Sequence, residues 1–399
     1  MAFSIREYVR NRLRERTDPV VDFPQLTNLE TAAEERGWQY EEILPASIQI
    51  CPGAHALAED FLQWVERGRD LVRIHRDFGR GLNFGRNWAA YLHSYRRYPM
   101  DKVFRCVIPQ ATVTTVEGAV LTDRGEYATE ANYIVPSLRQ SQMAAPRTKP
   151  MEGRFISLMT IWGEKNMGHF FFDAMLRVAV FDRLEEYRFL VPTEMQPWHR
   201  GLCEVAGIKP EQLVPADRPF TRVEELAACH IATEGSMPRA ELLKRFSARA
   251  LANCVVTPPA RRHRRIFIDR SAAKRRKLAN QDEIKSILAD RGFEIIQWES
   301  LSMPDQVRLA AETEIMAGPH GTSLLNSIYA PPGAKLLEII NPQWWDAATL
   351  RQCVLMGHEF WYCFGENVSR AYDTRVDPRK LERVLDYMLG APRVDPPLV

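Results

Sequence analysis

The sequence has no apolar run near the ~20 residues that a helix needs to cross a bilayer. Its opening stretch, Met1-Ala2-Phe3-Ser4-Ile5-Arg6-Glu7, has no apolar signal core. A secreted or membrane-spanning enzyme is thereby disfavoured, and a cytoplasmic location is expected. The seven cysteines, Cys51, Cys106, Cys203, Cys229, Cys254, Cys353 and Cys363, are scattered, odd in number and form no Cys-x-x-Cys pair. That argues against a disulfide framework or a zinc site and for reduced thiols. Net charge is nearly absent too. The 53 Lys and Arg residues stand against 51 Asp and Glu, leaving +2, so no nucleic-acid partner is expected. Internal repeats and low-complexity tracts are also missing.

What is present is ordinary globular composition. The chain has 399 residues, 45% hydrophobic and 26% charged, a length that favours two domains with a core in each. Residues 1–20 read as a charged amphipathic helix and 54–67 as another. The stretch 67–98 is Arg-rich with Trp88, Tyr91, Tyr95 and Tyr98 interleaved. It suits sugars, phosphates or a peripheral contact with anionic lipid heads, and equally a solvated helix face over packed aromatics. Any membrane association is expected to be peripheral and conditional on a lipid-linked partner. From 103 to 135, Val, Thr and Ile alternate with turn residues, which predicts short strands or hairpins. Residues 141–153, with Pro146, Pro150 and Gly153, read as a linker.

Strands and helices then alternate, as in parallel βαβ units. Residues 154–162 and 188–192 read as strands, 168–187 as one long helix, and a further helix falls near 197–206. After a Pro-rich break at 257–263 the rhythm is cleaner. Strands at 265–269, 293–298, 314–318, 334–340 and 359–364 alternate with helices at 281–292, 304–312, 321–330 and 347–357. A last helix covers 378–390. The expected fold is α/β with two Rossmann-like domains, at 151–256 and 257–370. An extension of helices and short β-strands precedes them over 1–150. A helix and tail at 371–399 is expected to pack back on the N-terminal domain.

Three segments carry candidate chemistry. In the first, Gly318-Pro319-His320-Gly321-Thr322-Ser323 links a short buried strand to a helix. Such a turn points backbone N–H groups and the positive helix end at an anion, at the strand end where open α/β sheets bind ligands. Thr322, Ser323 and His320 add donors. The same turn would also serve as a plain N-capped turn with a structural histidine. It is neither a Walker loop nor a Gly-x-Ser-x-Gly elbow. In the second, Arg270 follows a strand, with Arg275 and Arg276 in the loop after it. Guanidinium groups suit bidentate phosphate contacts, although a basic solvated loop has the same composition. In the third, His169, Asp173 and Arg177 recur every four residues along one helical face. A His–Asp pair there could act as a general base, or simply satisfy a partly buried histidine.

With these segments in view, the chain resembles the family 61 glycosyltransferases over roughly 103–340. The resemblance rests on Asn166, His169, Asp173 and Arg177; on Ile268-Asp269-Arg270, Arg275-Arg276, Asn280 and Asp282-Glu283-Ile284; and on Gly292-Phe293-Glu294. It continues through Gly318-Pro319-His320-Gly321, Leu324, Asn326 and Pro332-Gly333 to Leu337-Glu338-Ile339. Asp269 stands where the family often has Ser, Met175-Leu176 where it often has Leu-Pro, and Thr322-Ser323 where it often has a small residue and Gly.

The resemblance implies a GT-B-like enzyme with two facing Rossmann-like domains and a nucleotide-sugar donor on the C-terminal one. It implies inverting transfer to a hydroxyl of a glycan, lipid-linked glycan or protein. A UDP-type diphosphate is expected at Arg270, Arg275, Arg276, Gly318, His320, Gly321, Thr322 and Ser323, with Glu338 accepting hydrogen bonds from the ribose. His169 is expected as general base and Asp173 as its orienting carboxylate. No Asp-x-Asp lies beside the phosphate turn, so a metal is not expected to be required, and no cofactor is expected to be permanently bound. The alternatives are another GT-B-like sugar-nucleotide enzyme, an epimerase or hydrolase, and a non-catalytic glycan-binding protein.

Overall fold

A computed structural model describes residues 23–51, 96–115, 117–131, 149–216, 219–230, 238–255, 263–344 and 348–390. The helices expected over 1–20 and 54–67 lie outside these residues, as do most of the Arg-rich stretch 67–98 and most of the linker at 141–153. Contacts divide the chain into two units, each assembled from separate segments. The first holds residues 1–46, 101–204 and 208–232; the second holds 47–100, 205–207 and 233–399. Among the described residues no helix is long and apolar enough to cross a membrane.

In the first unit, helix α1 (Leu29–Arg36) is capped by Asn28, whose side chain accepts from the Thr31 N–H, and stopped by Gly37 in the left-handed region at φ 68°. Seven strands build most of a ten-stranded mixed sheet. They are β1 (Gln39–Leu44), β2 (Val103–Pro109), β3 (Thr112–Thr114), β4 (Met151–Ser157), β5 (Arg188–Val191), β6 (Leu213–Pro215) and β7 (Phe220–Cys229). Strands β7, β4, β5 and β6 lie in that order and run parallel, with helix α2 (Pro197–Val205) in the β5–β6 crossover. β2 and β3 pair antiparallel with β7, and β1 with β2. The strands at 103–128 therefore belong to this sheet and not to a separate extension. Their pattern explains why: β2 sends Phe104, Cys106 and Ile108 into a core shared with Phe155, Leu190, Val223 and Leu226.

The long helix expected at 168–187 is not continuous. One α turn (Met167–His169) runs into a π turn (Phe170–Ala174), and this into a 3₁₀ stretch (Met175–Val180). Arg177 supplies a reason. Its guanidinium donates to the Ser157 carbonyl at the end of β4 and the Met159 carbonyl just beyond it, at 2.7 and 3.3 Å. Phe170, Phe171, Ala174, Met175, Leu176 and Val178 are all buried. A surface-helix stripe buries only about one face, so the winding changes until this larger set is inside.

The second unit begins with helix α3 (Ala240–Asn253). Strand β8 (Arg264–Ile268), helix α4 (Gln281–Ala289), β9 (Phe293–Ile296), α5 (Met303–Ala311) and β10 (Thr313–Pro319) follow. A 3₁₀ helix (Thr322–Tyr329), β11 (Lys335–Ile340), α6 (Ala348–Leu355), β12 (Glu359–Phe364) and α7 (Pro378–Gly390) complete it. Its five strands are all parallel, in the order β9-β8-β10-β11-β12. Numbered within the sheet this is 2-1-3-4-5, a doubly wound order. One face packs Phe267, Ile315, Leu337, Ile339 and Trp361 against α4 and α7. Helices α3, α5 and α6 gather around the 3₁₀ helix. The last helix was expected against the N-terminal domain. It packs instead on the sheet of its own unit, because Leu381, Val384, Leu385 and Met388 form one apolar stripe that completes this core. The mixed α/β architecture expected from the sequence is the one observed.

Candidate active site

In a 2-1-3-4-5 sheet the connections reverse direction between the first and third strands, and that crevice is where such sheets bind ligands. Here those strands are β8 and β10. Their carboxyl ends carry Asp269-Arg270 and Pro319-His320-Gly321.

Asp269 is buried and accepts from Lys285 Nζ at 2.7 Å, from the Ser271 N–H at 2.8 Å and from Ser271 Oγ at 2.9 Å. Burial alone would raise its carboxyl pKa, but the hydrogen bonds from Lys285 and Ser271 outweigh burial and hold it below the ordinary value. This network fixes the backbone from which Arg270 departs. The Arg270 guanidinium donates to Ser323 Oγ at 3.2 Å, while its Nε is buried with no hydrogen-bond partner. It has no carboxylate within salt-bridge distance among the described residues. Burial lowers its pKa, the nearby Arg276 charge pushes the same way, and Glu299 opposes.

Gly321 is required twice over. Its φ of 155° suits glycine, and a Cβ there would stand 2.6 Å from Arg270 Nη1. Trp298, buried, donates its indole N–H to the Ser323 carbonyl at 2.9 Å and pins the turn. Thr322 is exposed, and so is Arg275, which makes no hydrogen bond or ion pair among the described residues. Arg276 sits in the left-handed region at φ 61°, its N–H bonded to the Ala371 carbonyl at 3.0 Å. Gly318 lies where β8 and the 3₁₀ helix approach; a Cβ would meet Ile268 Cβ at 3.1 Å.

Glu338, expected at the ribose, has a protein partner. It is fully buried, at 0% exposure, with Oε1 2.8 Å from His320 Nδ1. The two side chains form a carboxylate–imidazole pair. Register explains the pair. Glu338 is opposite Gly318 on the neighbouring strand, and His320 is two residues further along the same side.

On the first unit, Asn166 Oδ1 caps the Gly168 and His169 N–H groups at 2.9 and 3.3 Å. One turn on, His169 Nδ1 lies 2.9 Å from Asp173 Oδ2. A carboxylate at Nδ1 assigns the proton to that nitrogen and leaves Nε2 as the basic one. His169 is 38% exposed and Asp173 15%, so the pair is supported from below and open above. Burial lowers the Arg177 pKa, and the Asp173 carboxylate opposes that shift, so acid and guanidinium share one electrostatic environment.

Several residues that shape these sites were not singled out from sequence. Trp298 and Lys285 act through contacts with no local motif. Trp162, 47% exposed, has its ring centroid 4.7 Å from that of His169. Among the described residues no three His, Cys, Asp or Glu side chains gather as metal ligands. No curated protein matches the chain closely enough to count as a relative. Residues 167–337, from the turn bearing His169 to the residue before Glu338, match the glycosyltransferase 61 family. That stretch includes both the His169–Asp173 pair and the Arg270–Gly321 turn, so the region belongs to the glycosyltransferase 61 family and the protein is a glycosyltransferase.

Proposed function

We propose that the protein transfers a sugar from a UDP-type nucleotide sugar to an acceptor hydroxyl with inversion, as a GT-B-like enzyme. The second unit supplies the donor contacts and the first the base. The observation that carries this reading is Arg270: a half-buried guanidinium with a buried, unbonded Nε and no carboxylate partner among the described residues, seated against Gly321 at the switch point. A buried charge left uncompensated is costly, and a diphosphate would compensate it. Gly321 and Ser323 of the 318–323 turn adjoin the same guanidinium, and His320, held by Glu338, belongs to that turn.

In the proposed step the acceptor oxygen attacks the anomeric carbon, the bond from that carbon to the diphosphate oxygen breaks, and the acceptor proton passes to His169 Nε2. Asp173 stabilises the imidazolium, while Arg270 and its neighbours stabilise the departing diphosphate. The acceptor is a hydroxyl of a glycan, a lipid-linked glycan or a protein, and the enzyme works in the cytoplasm. No metal or resident cofactor is needed for these steps. Calorimetric titration with UDP tests the donor half. Arg270→Ala is expected to weaken UDP by about 1.5–3 kcal/mol, the range for a hydrogen bond to a charged group. Unchanged affinity in that variant would remove the basis of the reading.

A further inference from the structure

We propose that the indole of Trp162 is a platform for a pyranose ring, and that the acceptor is therefore a sugar hydroxyl rather than the hydroxyl of a bare peptide or lipid. This rests on the reading of His169 as the base.

Trp162 is 47% exposed on the turn that follows β4, although burial is the default for so large an apolar side chain. The turn is not slack. The Gly163 N–H bonds to the Thr160 carbonyl at 3.1 Å and the Asn166 N–H to the Trp162 carbonyl at 3.0 Å. Beneath it lies His199, fully buried, whose Nδ1 accepts from the Gln196 N–H at 2.8 Å and whose Nε2 donates to the Gly163 carbonyl at 2.9 Å. Gly163 has no room for a side chain, since a Cβ would meet Thr160 Cγ2 at 2.4 Å. The backbone under Trp162 is thus fixed from two sides, and the ring is held outward by construction.

Orientation gives the exposed ring a purpose. Its centroid is 4.7 Å from that of His169, with the planes inclined at 51°, so indole and imidazole form two walls of one corner. An indole face carries the negative lobe of its quadrupole. A pyranose presents a complementary surface: C–H bonds, polarised by the ring oxygens, that project from one flat face. A sugar lying on Trp162 would set its rim hydroxyls beside His169 Nε2. The exposed Lys165 on the same turn offers a donor to that rim. A serine or threonine in an extended peptide has no comparable flat face.

Saturation-transfer NMR on the full chain tests this, with methyl α- and β-pyranosides of gluco, galacto, manno and xylo configuration as probes. At least one pyranoside is expected to receive saturation at its ring C–H protons. Trp162→Ala should weaken its binding about tenfold, as an aromatic contact of ~1.4 kcal/mol would. Trp162→Phe should retain most of the signal. UDP titrated into the same samples should bind wild type and Trp162→Ala alike. If no pyranoside binds, or none depends on Trp162, the platform is overturned, while Arg270-dependent UDP binding would leave the donor reading standing. If UDP fails to bind but the Trp162-dependent signal persists, the donor reading falls and the platform stands.

Discussion

At Gly321 two constraints meet, a backbone angle that other residues avoid and a guanidinium packed where their Cβ would be. Gly321→Ala must therefore push Arg270 off its seat or distort the turn. The expected result is UDP binding weakened about tenfold or more, because the charged contact is lost or displaced. Full affinity in calorimetry would mean that the guanidinium position is irrelevant to the donor. His169 poses the complementary case. An acceptor hydroxyl has a pKa far above neutrality, so its attack needs a positioned proton acceptor. His169→Ala should lower turnover by about 10²–10⁴-fold with UDP affinity nearly unchanged, and Asp173→Asn should follow the same pattern. If His169→Ala keeps more than about a third of wild-type turnover at saturating substrates, the histidine is not the base, since general-base loss costs far more than that.

At the level of elements, the turn carrying Trp162 is tied to α2 through His199. Burial holds the His199 pKa at about 4, against ~6.5 for an exposed histidine. A folded value below the unfolded one means that the unfolded chain takes up the proton first. The stabilising contribution is whole above pH 6.5 and is lost as pH falls toward 4, roughly 3 kcal/mol across the window. Glu126, held at about 2 by the Arg36 hydrogen bonds, acts lower, as pH falls from about 4.5 to 2. Denaturant titrations at pH 7 and 5 should show a loss of stability that His199→Gln lacks, and equal losses in both proteins would refute the assignment.

The same scale shows what could be read ahead of the structure. From 264 to 364 the βαβ rhythm was legible because each strand is short, apolar and bounded by a helix with its own stripe. Observed boundaries there fall within a few residues of those expected. β7 escaped notice: Phe220–Cys229 mixes Arg222, Glu224 and Glu225 with apolar residues, since its partners on either side differ in direction. The His169–Asp173 contact was legible from spacing even though the winding beneath it was not, because the π turn begins just after His169. The Glu338–His320 pair was not legible. It depends on strand register across 18 residues, and no local pattern encodes that.

For the whole molecule, the units do not follow the sequence in blocks. α3 precedes the Pro-rich break yet belongs to the second unit, where Leu242, Leu243 and Phe246 are buried and Ser247 Oγ donates to the Ile328 carbonyl at 2.7 Å. A fragment beginning at residue 257 forfeits three large buried side chains, roughly 4–9 kcal/mol at ~1.5–3 each, comparable to a typical domain's entire stability. Fragment 238–390 is expected to melt cooperatively by circular dichroism and the 257–390 fragment to melt without a transition. Equal melting of the two would show α3 to be dispensable.

The pairing of β2 with β7 has a consequence in time. A ribosome finishes Val103–Pro109 well before it reaches Phe220–Cys229, and at about 5–20 residues per second the intervening ~110 residues take roughly 5–20 s. Throughout that interval one edge of β2 has no partner of its own, and an unpaired strand edge is a template for any neighbouring chain. Neighbouring ribosomes on one message hold identical edges at staggered stages of growth. The yield of folded enzyme should then depend on how closely those ribosomes are spaced as much as on the stability of the finished fold.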